Sequence, residues 1–171
     1  MVEGRKHKND YCVEGCCILR FVPVPANRPP LIEQTGWVQA TASGEVCGEG
    51  NAGHIEITAK GLVPLGVYTL WLLTDRGPLP AAPVGAVYTS DGADPNRLTV
   101  NSQGILNYYI APLDFNPFKG IPMAVGIAMI QGVAITLMAE RTTYGLSPGT
   151  LGVTTFDQLV SQFCHPRDEQ G

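Results

Sequence analysis

Charged side chains are scarce in this chain. Asp, Glu, Lys and Arg make up 15 % of its 171 residues, against about 25 % in an average domain, which leaves little sequence for solvated helical faces. Lysine occurs only at Lys6, Lys8, Lys60 and Lys119. A net charge of −4 offers no basic footprint for nucleic acid, and the one basic run, Arg5-Lys6-His7-Lys8, reads as a solubilising tail. Histidine is limited to His7, His54 and His165, too few for the converging imidazoles of a copper or copper–zinc site on a β-sandwich. Long apolar runs are lacking as well. Met123–Ala139 is the longest and is interrupted by Gln131-Gly132, so no membrane span is expected. Met1-Val2-Glu3-Gly4-Arg5-Lys6 leads into polar residues, so no secretory signal is read: either the chain stays inside, or a signal was removed and a start Met added. Gly-x-Ser-x-Gly, His-Glu-x-x-His, P-loop and Gly-x-Gly-x-x-Gly motifs do not occur. Acidic residues stand singly on loops, which leaves no carboxylate pair for glycoside hydrolysis. The chain is not expected to be an enzyme.

What is present points to β-structure. Ile55, Ile57 and Ala59 alternate with His54, Glu56, Thr58 and Lys60, the period of a half-buried strand. Tyr68-Thr69-Leu70-Trp71-Leu72-Leu73 is apolar on both faces, as in a central strand. Further strands are read at Ile18–Val22, Trp37–Val46, Val84–Thr89, Leu98–Val100 and Ile105–Ile110. Asn101-Ser102-Gln103-Gly104 joins the last two as a four-residue hairpin loop. Met123–Ile130 and Val133–Ala139 form a final hairpin about Gln131-Gly132. One helix is predicted over Phe156–Phe163: Thr155 and Gln158 have capping-box spacing, and Phe156, Leu159, Val160 and Phe163 recur at helical intervals. The expected fold is an all-β, two-sheet Greek-key β-sandwich with one short C-terminal α-helix. Residues 1–36 are read as a Cys-bearing arm and Pro-rich connection, 37–153 as the sandwich, and 154–171 as the C-terminal helix and tail.

Leu62, Pro64 and Tyr68 stand between two of these strands with the spacing of a tyrosine corner, in which the phenol reaches back to a main-chain group. The Leu-x-Pro-x-x-x-Tyr spacing over Gly61–Tyr68 resembles the corner of fibronectin type III and immunoglobulin-like domains. The likeness ends near Leu73, since this chain offers more strands than such a module. Ile55–Leu73 with Val84–Tyr88 is also similar to the exported domain of anti-sigma-K-type regulators. Their membrane span and cytoplasmic helical part are missing from this sequence, so their regulatory role is not carried over. Both likenesses imply a sandwich scaffold rather than an activity.

Five cysteines are the sharpest chemical candidates. Cys12, Cys16 and Cys17 cluster, Cys47 stands alone, and Cys164-His165 follows the last predicted element. Cys12, Cys16, Cys164 and His165 have the donor chemistry of a zinc site but lack paired Cys-x2-Cys knuckles. A disulfide from Cys164 to Cys12, Cys16 or Cys17 is the simpler reading, in an oxidising compartment, and an odd count leaves at least one thiol over. The neighbours Cys16 and Cys17 are expected to pair elsewhere rather than with each other, and no redox motif is present. Asp91, Asp94 and Asn96 put three oxygen donors on one loop, for which a solvated turn is the simpler account. His54 is expected to face outward from its strand.

Tyr108, Tyr109, Phe115, Phe118 and Tyr144 are the candidates for a binding surface, against the plainer account in which they alternate across a strand or cover the core. The functional expectation is a non-catalytic extracellular or periplasmic interaction or self-assembly module, with a protein partner or a second copy, without nucleic acid and without cofactor. The alternative is a small metal-binding or redox-responsive protein using Cys12, Cys16, Cys17, Cys164 and His165.

Overall fold

Among the described residues, fifteen short elements, nearly all of them strands, follow the apolar alternation along the chain. The computed structural model describes residues 12–13, 15–82, 86–90 and 93–164. In chain order the strands are β1 (Cys12–Val13), β2 (Cys16–Arg20), β3 (Val22–Pro23), β4 (Thr41–Glu49), β5 (Ala52–Lys60), β6 (Val67–Thr74) and β7 (Gly77–Leu79). They continue with β8 (Leu98–Thr99), β9 (Leu106–Leu113), β10 (Ile121–Pro122), β11 (Ile127–Ala128), β12 (Ile130–Met138) and β13 (Thr155–Gln162). A 3-10 turn at Pro25–Asn27 and a single-turn helix α1 (Gln34–Val38) complete the set.

Two antiparallel sheets dominate. The first runs β1-β2-β4-β5-β9 and the second β3-β13-β12-β6-β7, with β8 also on β6. One core joins them: Leu19, Val46, Ile55 and Ile57 from the first sheet meet Leu70, Leu72, Ile135 and Leu159 from the second. β5 buries Ile55, Ile57 and Ala59 and exposes Glu56, Thr58 and Lys60, as its alternation requires. β6 lies between β12 and the β7/β8 pair and is buried almost throughout. No helix among the described residues is long and apolar enough to cross a membrane.

The predicted C-terminal helix is a strand. β13 pairs with β12, and Ile135 opposes Leu159 while Thr136 opposes Asp157, so Gln158 is a bulge residue. A bulge adds one residue to the two-residue period, so Phe156 and Leu159 both reach the core. Spacing of three, then alternation through Ser161 to Phe163, imitates a helical stripe in the sequence. The strand expected at Trp37–Val46 is likewise divided: Trp37 belongs to α1 and is buried, with its indole Nε1 donating to Val24 O (2.9 Å), and pairing begins at Thr41.

Three connections also differ from expectation. Ile18–Val22 breaks at Phe21, because β2 pairs with β4 in one sheet while β3 pairs with β13 in the other. β8 and β9 do not pair with each other; they go to β6 and β5, so the Asn101 turn is an arch between sheets rather than a hairpin loop. Asn101 Oδ1 holds that arch by accepting from Gln103 N and Ile105 N (both 2.9 Å). Gln131-Gly132 lies inside β12, where a register shift against β6 marks a bulge rather than a turn. Of the segment expected as a strand at 84–89, residues 86–89 are irregular and 84–85 lie outside the described residues. Strands β2 and β3, from the segment read as an arm, and β13, from the segment read as a tail, are built into the two sheets.

Asp157, beside the bulge, is set largely apart from water, and burial pushes its carboxyl above the usual range against a hydrogen bond from Thr136 Oγ1 (2.7 Å). The folded state therefore keeps this proton where the unfolded chain has lost it. Its contribution is greatest below the ordinary aspartate pKa and is lost as pH rises through the raised value. Asp157→Asn is expected to gain on the natural protein as pH rises through that window, read from urea midpoints across about pH 3 to 7. A stability difference that does not change with pH would contradict the assignment.

Candidate functional site

The loop between β5 and β6 builds one end of the sandwich. Tyr68 is fully buried; its Oη accepts from Val63 N (2.9 Å) and donates to Gln158 Oε1 (2.6 Å). Gln158 Nε2 in turn donates to Trp37 O (3.1 Å). The expected corner is therefore present, and the bulge residue of β13 extends it to α1. Burial holds the Tyr68 phenol well above its ordinary pKa, so it remains a donor. Leu65 has a left-handed backbone (φ 59°), and a Cβ on Gly66 would lie 2.8 Å from Val63 O. The loop is thus tightly folded and turns the Leu65 side chain outward.

Against this loop lies an aliphatic cleft of about 440 Å³. Pro29 to Ile32 form one wall, Val63, Pro64 and Val67 another, and Leu137, Met138, Val153 and Phe156 the remainder. Among the described residues Arg141 is the one charged residue lining it, and its Nη1 donates to Leu65 O (2.8 Å). Around the rim Leu31 is 98 %, Leu65 59 % and Val153 68 % exposed. Sequence reasoning missed this surface, having read residues 1–36 as an arm and Pro-rich connection and Leu62, Pro64 and Tyr68 only as a structural corner. The available signal was the placement of leucines beside prolines in segments with no strand to bury them.

The cysteines fall into distinct environments. Cys16 and Cys47 oppose each other across β2 and β4 and form a disulfide, so Cys47 does not stand alone. Cys17, the neighbour of Cys16, points to the other face and is a buried free thiol. Its Sγ accepts from Cys164 N (3.0 Å), and burial pushes its pKa up, which makes it unreactive. Cys164 is also disulfide-bonded. Its expected partners Cys16 and Cys17 are thereby excluded, whereas the Cys12 side chain and His165 lie outside the described residues. The zinc set read from Cys12, Cys16, Cys164 and His165 thus loses Cys16 to Cys47 and Cys164 to a second disulfide.

On the outer face of the first sheet, Glu45 and His54 flank the Cys16–Cys47 bond. The sulfurs and a Glu45 carboxylate oxygen lie within 4.8 Å of one another. His54 Nε2 is 3.8 Å from Glu45 Oε1, and His54 is directly opposite Cys47 in the ladder. A shallow cleft of about 430 Å³ opens here, lined in part by Gly15, Gly48 and Gly53.

The aromatic candidates are not gathered at one place. Tyr109 is exposed on β9 near His54 (ring centroids 6.3 Å apart), whereas Tyr108 packs against the core from the opposite face of the strand. Phe115 is buried in the core, and Phe118 packs on Phe163 with centroids 5.4 Å apart. The Tyr144 hydroxyl donates to Glu140 Oε1 (3.2 Å) in a separate loop. Asp94 and Asn96 are buried rather than solvated: Asp94 accepts from Asn96 N (2.8 Å) and Gly145 N (3.1 Å), and Asn96 Oδ1 accepts from Leu70 N (3.3 Å). They fasten the loop before β8 onto β6, and Asp91 lies outside the described residues.

No protein-family model matches this chain, and no curated protein matches it.

Proposed function

We propose that this chain is a non-catalytic extracytoplasmic interaction module that assembles with a second copy of itself through its corner end. One observation carries the reading: Leu31, almost wholly exposed, stands beside an open aliphatic cleft on the same surface. A protruding apolar side chain and an apolar recess on one patch are what a two-fold interface requires, because each copy supplies both halves. Leu65 and Val153 widen the patch beyond the scattered exposed apolar residues that need no explanation. The exposed Arg141 belongs on the polar rim of such an interface, with one N–H already held by Leu65 O. The disulfides at Cys16–Cys47 and at Cys164 favour an oxidising compartment. The likeness to immunoglobulin-like sandwiches supports the scaffold only.

Sedimentation equilibrium over a wide concentration range is expected to give a reversible dimer. Leu31→Asp should weaken it about tenfold or more, from the loss of buried leucine area. Tyr109→Lys, on the β9 edge, should leave it unchanged. A monodisperse monomer at high concentration would end the assembly claim. Dissociation by Tyr109→Lys but not by Leu31→Asp would move the contact to the sheet edge.

A further inference from the structure

We propose that Cys16, Cys47, Glu45 and His54 form a thiol-gated site for a zinc-class divalent cation, closed while the two sulfurs are bonded to each other. Three strands bring the donors together: Cys16 on β2, Glu45 and Cys47 two residues apart on β4, and His54 on β5 facing Cys47. Donors around a tetrahedral zinc stand about 3.4–3.8 Å apart. The two sulfurs and the Glu45 carboxylate lie within 4.8 Å of one another, and His54 joins them through Glu45 at 3.8 Å. Once the S–S bond is broken, the sulfurs separate and the His54 side chain turns inward to reach zinc spacing. Two soft thiolates and an imidazole, beside one hard carboxylate, select zinc over magnesium or calcium.

A second observation points to a cation. Glu45 is directly opposite Glu56 on the same outer face, and like charges so placed repel. Glu49 lines the adjoining cleft. A cation held by Glu45 would offset its repulsion with Glu56. Cys16 and Cys47 themselves line that cleft, and Cys16 is partly exposed, so a reductant can reach the bond.

The gating step is a two-electron exchange. A dithiol reductant attacks the Cys16–Cys47 bond, the S–S bond breaks, and the dithiol leaves as its own disulfide while Cys16 and Cys47 become thiols. Both thiols release their protons when the cation binds. Cys17 takes no part, because it lies on the core face.

Cobalt(II) titration of the full chain tests this directly, with zinc competition as a second probe. The chain reduced by a phosphine should develop thiolate-to-cobalt absorption that zinc abolishes, and the oxidised chain should not. Cys17→Ser should keep the band, and the double variant Cys16→Ser/Cys47→Ser should lose it. His54→Ala and Glu45→Gln, both at the surface and able to fold even where the double variant is not, should each weaken binding roughly tenfold or more. No band in the reduced chain, a band that survives the double variant, or unchanged affinity in both His54→Ala and Glu45→Gln would overturn the proposal. The result is independent of whether the corner end dimerises.

Discussion

Replacing Cys16 and Cys47 together by serine is expected to lower the unfolding free energy by about 3.7 kcal/mol. The two residues are 31 apart in sequence, and cross-linking them removes the closure entropy of that loop from the unfolded chain. The loop contains the β3 sheet switch, the Pro-rich segment and α1, so the unfolded chain would otherwise explore widely there. In the folded state the β2–β4 ladder holds the same two positions in register without the bond, so the loss should come chiefly from the unfolded side. Urea unfolding of the double variant under oxidising conditions, with the Cys164 bond left intact, measures it. A change below about 1 kcal/mol would mean that the unfolded chain already keeps these strands close. Zinc should restore stability to the reduced natural chain but not to the double variant, since a ligand bound only by the folded state stabilises it.

Tyr68→Phe is the next largest expected loss, at about 2 kcal/mol within a range of about 1–3. The missing hydroxyl would leave two groups without their partner at once, the partly buried Val63 N–H and the buried Gln158 Oε1. Gln158 is fully buried and Val63 partly so, so the buried amide oxygen bears the larger cost of an unmade hydrogen bond. Gln158→Leu should itself be destabilising, because it frees both the Tyr68 hydroxyl and Trp37 O. The double variant should lose less than the sum of the two, since the groups belong to one chain of hydrogen bonds. Additive losses would show that the corner and the bulge stabilise the fold separately. A Tyr68→Phe effect under about 0.5 kcal/mol would remove the corner from the account of stability.

The corner was legible because its information is local. Leu62, Pro64 and Tyr68 lie within seven residues, and the strands on either side have clean patterns. β5 was equally legible, with one face in the core and one in water. β13 was not, because a single bulge residue changes a period of two into a spacing of three, and Phe156 and Leu159 then mimic a helix. The Asn101 arch was misread because a tight turn says nothing about whether its flanking strands pair with each other or part into two sheets. For the site, the count of cysteines was readable and the Cys16–Cys47 pairing was not. That pairing depends on ladder register across a Pro-rich segment, which no short-range pattern encodes. The aliphatic cleft is assembled from four separated stretches, each of which looks like an ordinary loop or strand end when taken alone.

The meeting of Cys164 N with Cys17 Sγ at 3.0 Å has a consequence for how the domain can be tethered. It places the last described residue beside the first long strand, at the end of β13 opposite Phe156. β13 has eight residues, which at about 3.3 Å per residue separates its two ends by roughly 25 Å. Cys12, opposite Cys17 in the ladder, and Cys164 therefore lie at one pole, while Leu31 and its cleft occupy the other. A neighbouring domain, surface or fusion partner can hold this sandwich by its cysteine pole without shading the apolar one.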